Sequence, residues 1–198
     1  MILVVNNSKD LYKATMTPKL LDVLVSLDVS YIIINKKKDF KKVENLCING
    51  KIKGIILTGG PLCITDNIYY NDIIKNITAL HLFPDVPVLG ICFGFQVIND
   101  IYGGTIGKLP SHNLGFKNVN LFDSCISLFS NLKDVNKLFF SHNDEIKTVP
   151  YNFNFFTSNN IIIAIEHKEK DIFGVQFHPE GSLDGHNIIK NFIFNFCY

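Results

Sequence analysis

Cys92 lies on the stretch GICFG (Gly90 to Gly94), directly after the apolar run VPVLGI and directly before GFQVINDIYG, whose apolar spacing is helical. A strand that ends in a sharp turn into a helix presents the turn side chain at the sheet edge. This is the mechanics of a nucleophile elbow, and the crowding of such a turn explains small residues at 90 and 94. The backbone N–H groups and the helix N-terminus aimed at the sulfur favour thiolate over thiol, lowering the pKa from about 8.5. On this turn alone, a buried inert cysteine flanked by packing glycines is an equal alternative.

A nucleophile needs a base, and the base needs an orienting partner. FGVQFHPEG supplies His178 and, two places on, Glu180, with Pro179 stiffening the link. If Val175 to His178 is extended, residues 178 and 180 share a face, so Glu180 holds the imidazole tautomer while His178 takes the thiol proton. By itself the HPE tripeptide reads as a surface histidine. Combined with Cys92 and two glycine turns at strand ends, TGGP (Thr58 to Pro61) and GICFG, it reads as a catalytic constellation.

The elements that must position these groups alternate along the first hundred residues. Strands are expected at ILVVN (Ile2 to Asn6), VSYIIIN (Val29 to Asn35), GIILTGG (Gly54 to Gly60) and VPVLGI (Val86 to Ile91). Helices are expected at TPKLLDVLVSL, with Thr17 as N-cap and Pro18 at the first helical position, at DFKKVENLC, at YYNDIIKNITALHLF and at GFQVINDIYG. Continuous apolar strands joined through helices imply an α/β fold with an open, mostly parallel, flavodoxin-like sheet and helices on both faces. After Gly104 the segments FKNVNLF, KLFFSH, FNFFTS, NIIIAIEH and DIFGVQFH are short and aromatic, as expected of antiparallel strands appended in the C-terminal half. GHNIIKNFIFNF closes the chain as an apolar helix. No repeat, linker or composition break divides residues 1–198, so a single domain is expected. Ligands of such sheets gather at the carboxyl ends of the strands, where both glycine turns fall.

Composition bounds the partners. With 19 Lys and Arg against 18 Asp and Glu, net charge recruits neither nucleic acid nor an acidic membrane. The one basic cluster, INKKKDFKK (Ile34 to Lys42), reads as a solvated face. No apolar run approaches the roughly 20 residues of a membrane span, and the N-terminus lacks the pattern of a signal peptide, which points to the cytoplasm. The five cysteines (47, 63, 92, 125 and 197) form an odd set without CxxC spacing and are expected to be free thiols. His112 and His186 read as polar-loop residues without ligand spacing. No metal and no cofactor is expected, and Cys63 reads as a structural thiol.

TGGP, GICFGFQ and GVQFHPE, in this order and over nearly the whole chain, resemble the class I glutamine amidotransferases, whose pattern pairs a GGP loop with a GxCxGxQ turn and a terminal HPE. The resemblance implies hydrolysis of the side-chain amide of L-glutamine by the triad Cys92, His178 and Glu180 through a cysteinyl thioester. It further implies an oxyanion hole formed by the backbone N–H groups of Gly60 and Phe93. Gln96 would help position the substrate, and Ser141 and His142, in SHNDEIKTVP, would contact its amino-acid end.

Within the family, SHNDEIKTVP and GGPLCITD are most similar to the glutaminase units of GMP synthetase. The segments HPEGSLDGHN, LPSHNLGFKN and NNSKDLYK depart from that pattern, which bears on the ammonia acceptor more than on the triad. No synthetase segment follows the last helix within the 198 residues, so a separate ammonia-accepting synthetase subunit is expected, docked at a rim formed by His142, Asp144 and the loop 181–186. Other readings of the same residues are a glutaminase like anthranilate synthase component II, a stand-alone γ-glutamyl hydrolase, and a catalytically silent module of the same fold.

Overall fold

Four short runs of apolar, largely β-branched residues become the centre of the molecule. In the computed structural model, which describes residues 1–8, 16–43, 46, 49–66 and 70–198, they form β1 (Ile2–Val5), β2 (Tyr31–Ile34), β3 (Gly54–Leu57) and β4 (Val88–Ile91). β1 pairs in parallel with β2 and β3, and β3 with β4. Every residue of β1, β3 and β4 is buried, the pattern expected when both sheet faces are covered. The full order is β2-β1-β3-β4-β9-β8-β7, where β7 is Phe153–Ser158, β8 is Ile161–His167 and β9 is Ile172–Val175.

Because successive strand side chains face opposite ways, each strand feeds two cores. Ile2, Val4, Ile56, Leu89, Ile91 and Phe173 pack beneath α1 (Thr17–Ser26) and α4 (Leu183–Asn191). Leu3, Val5, Ile55, Leu57 and Val88 pack against α2 (Tyr70–Leu82) and α3 (Phe93–Ile101), through Ala79, Phe95 and Ile98. The expected α/β sheet with helices on both faces is observed.

Several local expectations are corrected. Thr17 is the first helical residue of α1, not its N-cap; Met16 holds the cap position without a side-chain cap, and the Thr17 hydroxyl donates to Asn6 Oδ1 at 3.2 Å. The basic stretch forms a 3-10 helix, Lys37–Lys42, with exposed lysines over buried Phe40. Cys47, the start of the YYNDII helix and most of the NNSKDLYK turn lie outside the described residues. DIFGVQFH is not wholly an antiparallel addition: β9 runs parallel to β4 and antiparallel to β8, so it is the hinge between the two sheet halves. The closing helix is α-helical only to Asn191 and continues as a π-helix, Phe192–Phe196.

β5 (Thr105–Asn120) and β6 (Val135–Thr148) leave the main sheet and form a two-stranded antiparallel ribbon. Its pairing is interrupted between Lys108 and Asn113. An interrupted register re-aims side chains, and here it occurs beside the carboxyl ends of β3 and β4.

Candidate active site

Cys92 occupies the turn from β4 to α3 with φ 50° and ψ −100°, a left-handed conformation that costs a non-glycine residue about 1–3 kcal/mol. Its neighbours hold it there. Cys92 N–H donates to Val175 O at 2.8 Å, and its carbonyl accepts the first helical bond from Gln96 N. A Cβ at position 94 would lie 2.2 Å from Leu57 O, and one at position 90 would lie 2.7 Å from Gly94 O, so the turn closes only with glycine at both.

His178 follows β9. Its N–H donates to Phe139 O at 2.7 Å, which fixes the backbone against β6, and its ring Nδ1–H donates to Glu180 Oε1 at 3.0 Å. The expectation that a strand places residues 178 and 180 on one face is corrected. β9 ends at Val175, and a 3-10 turn, Pro179–Gly181, folds the carboxylate back onto the ring. The same ring lies beside Cys92, the two side chains meeting over Gly59. Gly59 makes this approach possible: a Cβ there would lie 2.7 Å from His178 Cε1 and 3.5 Å from Cys92 Cβ. Burial opposes charge on His178, but the Glu180 carboxylate on one side and the Cys92 sulfur on the other outweigh it, and its pKa is raised well above 6.5. The three side chains are almost wholly buried.

A cavity of about 230 Å³ is lined by Cys92 together with Gly60, Phe93, Gln96, Ser141 and His142 among others, so the residues expected for the oxyanion hole and the substrate share one cavity with the nucleophile. Gly60 packs on the Asn7 carbonyl, which a Cβ would approach to 2.7 Å. Gln96 Nε2 donates to Asp144 O and to Gln176 Oε1, both at 3.1 Å, which makes it a locked wall of the cavity. The Ser141 carbonyl lies 3.6 Å from the Cys92 sulfur. His142 donates through Nδ1 to Asp144 O at 2.7 Å and accepts from Asn113 at Nε2 at 2.8 Å, and burial lowers its pKa. With both ring nitrogens engaged, a substrate would meet its backbone and not its ring.

Sequence reasoning missed the residues that hold this arrangement. Gln176, inside the quoted GVQFHPE, donates to the Cys92 sulfur at 3.7 Å. Asn7 and Asn76 exchange side-chain amide bonds of 3.1 and 3.0 Å, and Asn7 donates to Thr58 O at 2.7 Å, bracing the TGGP turn from beneath. Asp144 takes both the N–H and the hydroxyl of Thr65, at 3.0 and 2.6 Å, and so latches the loop after TGGP to β6. His142 and Asp144 are therefore buried and do not form an open rim; of the expected rim only Leu183, the first residue of α4, is exposed, at 82%. His112 and His186 are also misplaced by the loop reading: His112 sits in the irregular part of β5 and lines the cavity, and His186 lies in α4. Cys63 lines the cavity too, with burial raising its pKa. Cys63, Cys92, Cys125 and Cys197 are free thiols.

Comparison with known proteins gives the family of the chain. The family model for glutamine amidotransferase class-I matches residues 9–196. A glutamine-hydrolyzing GMP synthase of Spiroplasma kunkelii is 40% identical over 152 residues, 74% of this chain and 28% of that protein. A glutamine-hydrolyzing GMP synthase subunit of Methanococcus aeolicus is 40% identical over 150 residues, covering 73% of this chain and 74% of the relative. The chain thus matches little more than a quarter of the length of the first of these and most of the second. A crystal structure described as a GMP synthase subunit protein of Thermoplasma acidophilum superposes with a TM-score of 0.79 at 27% identity, over 99% of this chain and 92% of the other. A glutamine amidotransferase of Thermotoga maritima shares the fold, with a TM-score of 0.67 at 16% identity, over 98% of this chain and 81% of the other. Among the described residues no helix is long and apolar enough to cross a membrane. The chain belongs to the class I glutamine amidotransferases.

Proposed function

We propose that residues 1–198 act as one glutaminase domain that hydrolyses the side-chain amide of L-glutamine and supplies the ammonia to a separate GMP-forming synthetase subunit in the cytoplasm. The observation that carries this reading is His178 held between Glu180 and Cys92, in a recess that only a glycine at 59 leaves open.

His178 takes the thiol proton of Cys92 through the ring nitrogen opposite Glu180, and the sulfur attacks the amide carbon of glutamine. Negative charge develops on the former carbonyl oxygen. In this reading the backbone N–H groups of Gly60 and Phe93, two residues that line the cavity together with Cys92, receive it, each contributing on the order of 3 kcal/mol to the transition state. His178 returns its proton to the departing nitrogen, ammonia leaves, and a γ-glutamyl thioester remains. Water, deprotonated by the same imidazole, then cleaves the thioester, releases glutamate and restores the thiol. Glu180 stays ionised throughout and holds the imidazolium in place.

The choice of GMP synthesis is supported by the relatives, which include both a protein several times the matched length and a GMP synthase subunit that this chain covers for the most part. For the synthetase face, the support is the exposed Leu183 at the start of α4, two residues after Gly181 packs on Phe139. The test is ammonia release from glutamine by the chain and by Cys92→Ala, each with and without a GMP-forming synthetase partner. Activity that depends on Cys92 and rises with the synthetase is expected. Ammonia release unchanged in Cys92→Ala would refute the mechanism, and indifference to the synthetase would refute the partner.

A further inference from the structure

The cavity must recognise more than an amide. The amino-acid end of its substrate carries a carboxylate, which needs hydrogen-bond donors, and most polar groups on the wall are already committed. Gln96 Nε2 serves Asp144 O and Gln176. Both ring nitrogens of His142 are used. The Asp144 carboxylate is itself an acceptor, occupied by Thr65.

His112 is different. It is solvent-exposed yet borders the same cavity as Cys92, because the β5–β6 register is interrupted between Lys108 and Asn113. Its Nε2 lies 3.3 Å from the hydroxyl of Ser141. Ser141 also touches the nucleophile, its carbonyl lying 3.6 Å from the sulfur. One residue therefore spans the interval between Cys92 and His112, as one amino-acid side chain would span it when bound alongside.

The pair offers a donor in either tautomer. If Nε2 accepts the Ser141 hydroxyl proton, Nδ1–H is left free; if Nε2–H donates to the hydroxyl oxygen, the hydroxyl hydrogen is left free.

We infer that His112, together with the Ser141 hydroxyl, binds the α-carboxylate of the glutamine substrate and makes the cavity selective for an amino-acid amide. The inference rests on the glutaminase reading. His112 lies in LPSHNLGFKN, a segment that departs from the family pattern.

The experiment compares the wild type with His112→Ala and with His112→Gln, which keeps an N–H donor, on L-glutamine and on 4-aminobutanamide, the same amide without the α-carboxylate. For His112→Ala, KM for glutamine should rise about tenfold or more at nearly constant kcat, as expected for loss of a hydrogen bond to a charged group, while kcat/KM for 4-aminobutanamide stays unchanged. His112→Gln should recover part of the lost KM. An unchanged KM for glutamine, or an equal loss on both amides, would overturn the assignment. Calorimetric titration of glutamine into Cys92→Ala and Cys92→Ala/His112→Ala separates the two readings. A tenfold weakening in the double variant supports His112 even if turnover is absent and the glutaminase reading fails; equal affinity, or no binding to either, refutes His112.

Discussion

Nδ1 of His178 and Oε1 of Glu180 lie 3.0 Å apart across a single 3-10 turn, both side chains almost wholly removed from water. The turn, with Pro179 inside it, makes the pair a local feature, whereas the contact of His178 with Cys92 depends on β9 lying beside β4.

Replacing Glu180 by Gln keeps the shape but removes the anion that orients and charges the imidazole. Ammonia release from glutamine should fall by about 10² to 10⁴ in kcat with little change in KM, by analogy with loss of the carboxylate from a serine triad. Steady-state assays of the two proteins check this, with circular dichroism to confirm the fold.

The same pair sets a pH dependence. The folded pKa of His178 lies well above its unfolded value of about 6.5. Its contribution to stability is then fully present below about pH 6.5 and is lost as pH rises through the raised folded value. Urea unfolding as a function of pH should show the gap between wild type and Glu180→Gln narrowing toward alkaline pH, and NMR titration of His178 should show a lower pKa in the variant.

Two glycine substitutions should separate in effect. At Gly94 the obstructing atom is the backbone oxygen of Leu57, 2.2 Å from a new Cβ, so Gly94→Ala should destabilise the fold by about 2 kcal/mol or more. At Gly59 the nearest atom belongs to the His178 ring. Gly59→Ala should therefore displace the base, abolishing turnover while costing less stability than Gly94→Ala. Thermal unfolding and ammonia release, measured on both variants, check the contrast.

Thr65→Val removes the hydroxyl that donates to Asp144 at 2.6 Å and leaves a buried carboxylate one donor short. A loss of about 1.5–3 kcal/mol in stability is expected, with a raised KM for glutamine because the loop from Gly60 to Thr65 is released from β6. Chemical denaturation and glutaminase kinetics give the two readouts.

Much of the frame was legible in the residues. The apolar runs at 2–5, 54–57 and 88–91 could only be covered on both faces, and each is buried throughout. The glycines at 90 and 94 announced a crowded turn because backbone packing there excludes a Cβ, a constraint local enough to be written in five residues. The HPE segment disclosed its carboxylate–imidazole pair, although by a 3-10 turn and not by strand alternation. The mixed role of β9 was missed because a four-residue apolar strand carries no mark of which neighbour it will pair with in parallel.

Taken by itself, the sequence determined the alternation of strand and helix, the position of the thiol and the identity of its base and acid, since each depends on covalent neighbours and side-chain size. Only the tertiary structure decided that Gln176 reaches the sulfur, that Asn7 and Asn76 brace the TGGP turn, that Asp144 latches Thr65 and that His112 enters the cavity. Those contacts join residues 69 to 84 positions apart, or arise from an interrupted strand register. Hydrogen bonds over such separations are selected by packing in three dimensions, and no spacing along the chain encodes them.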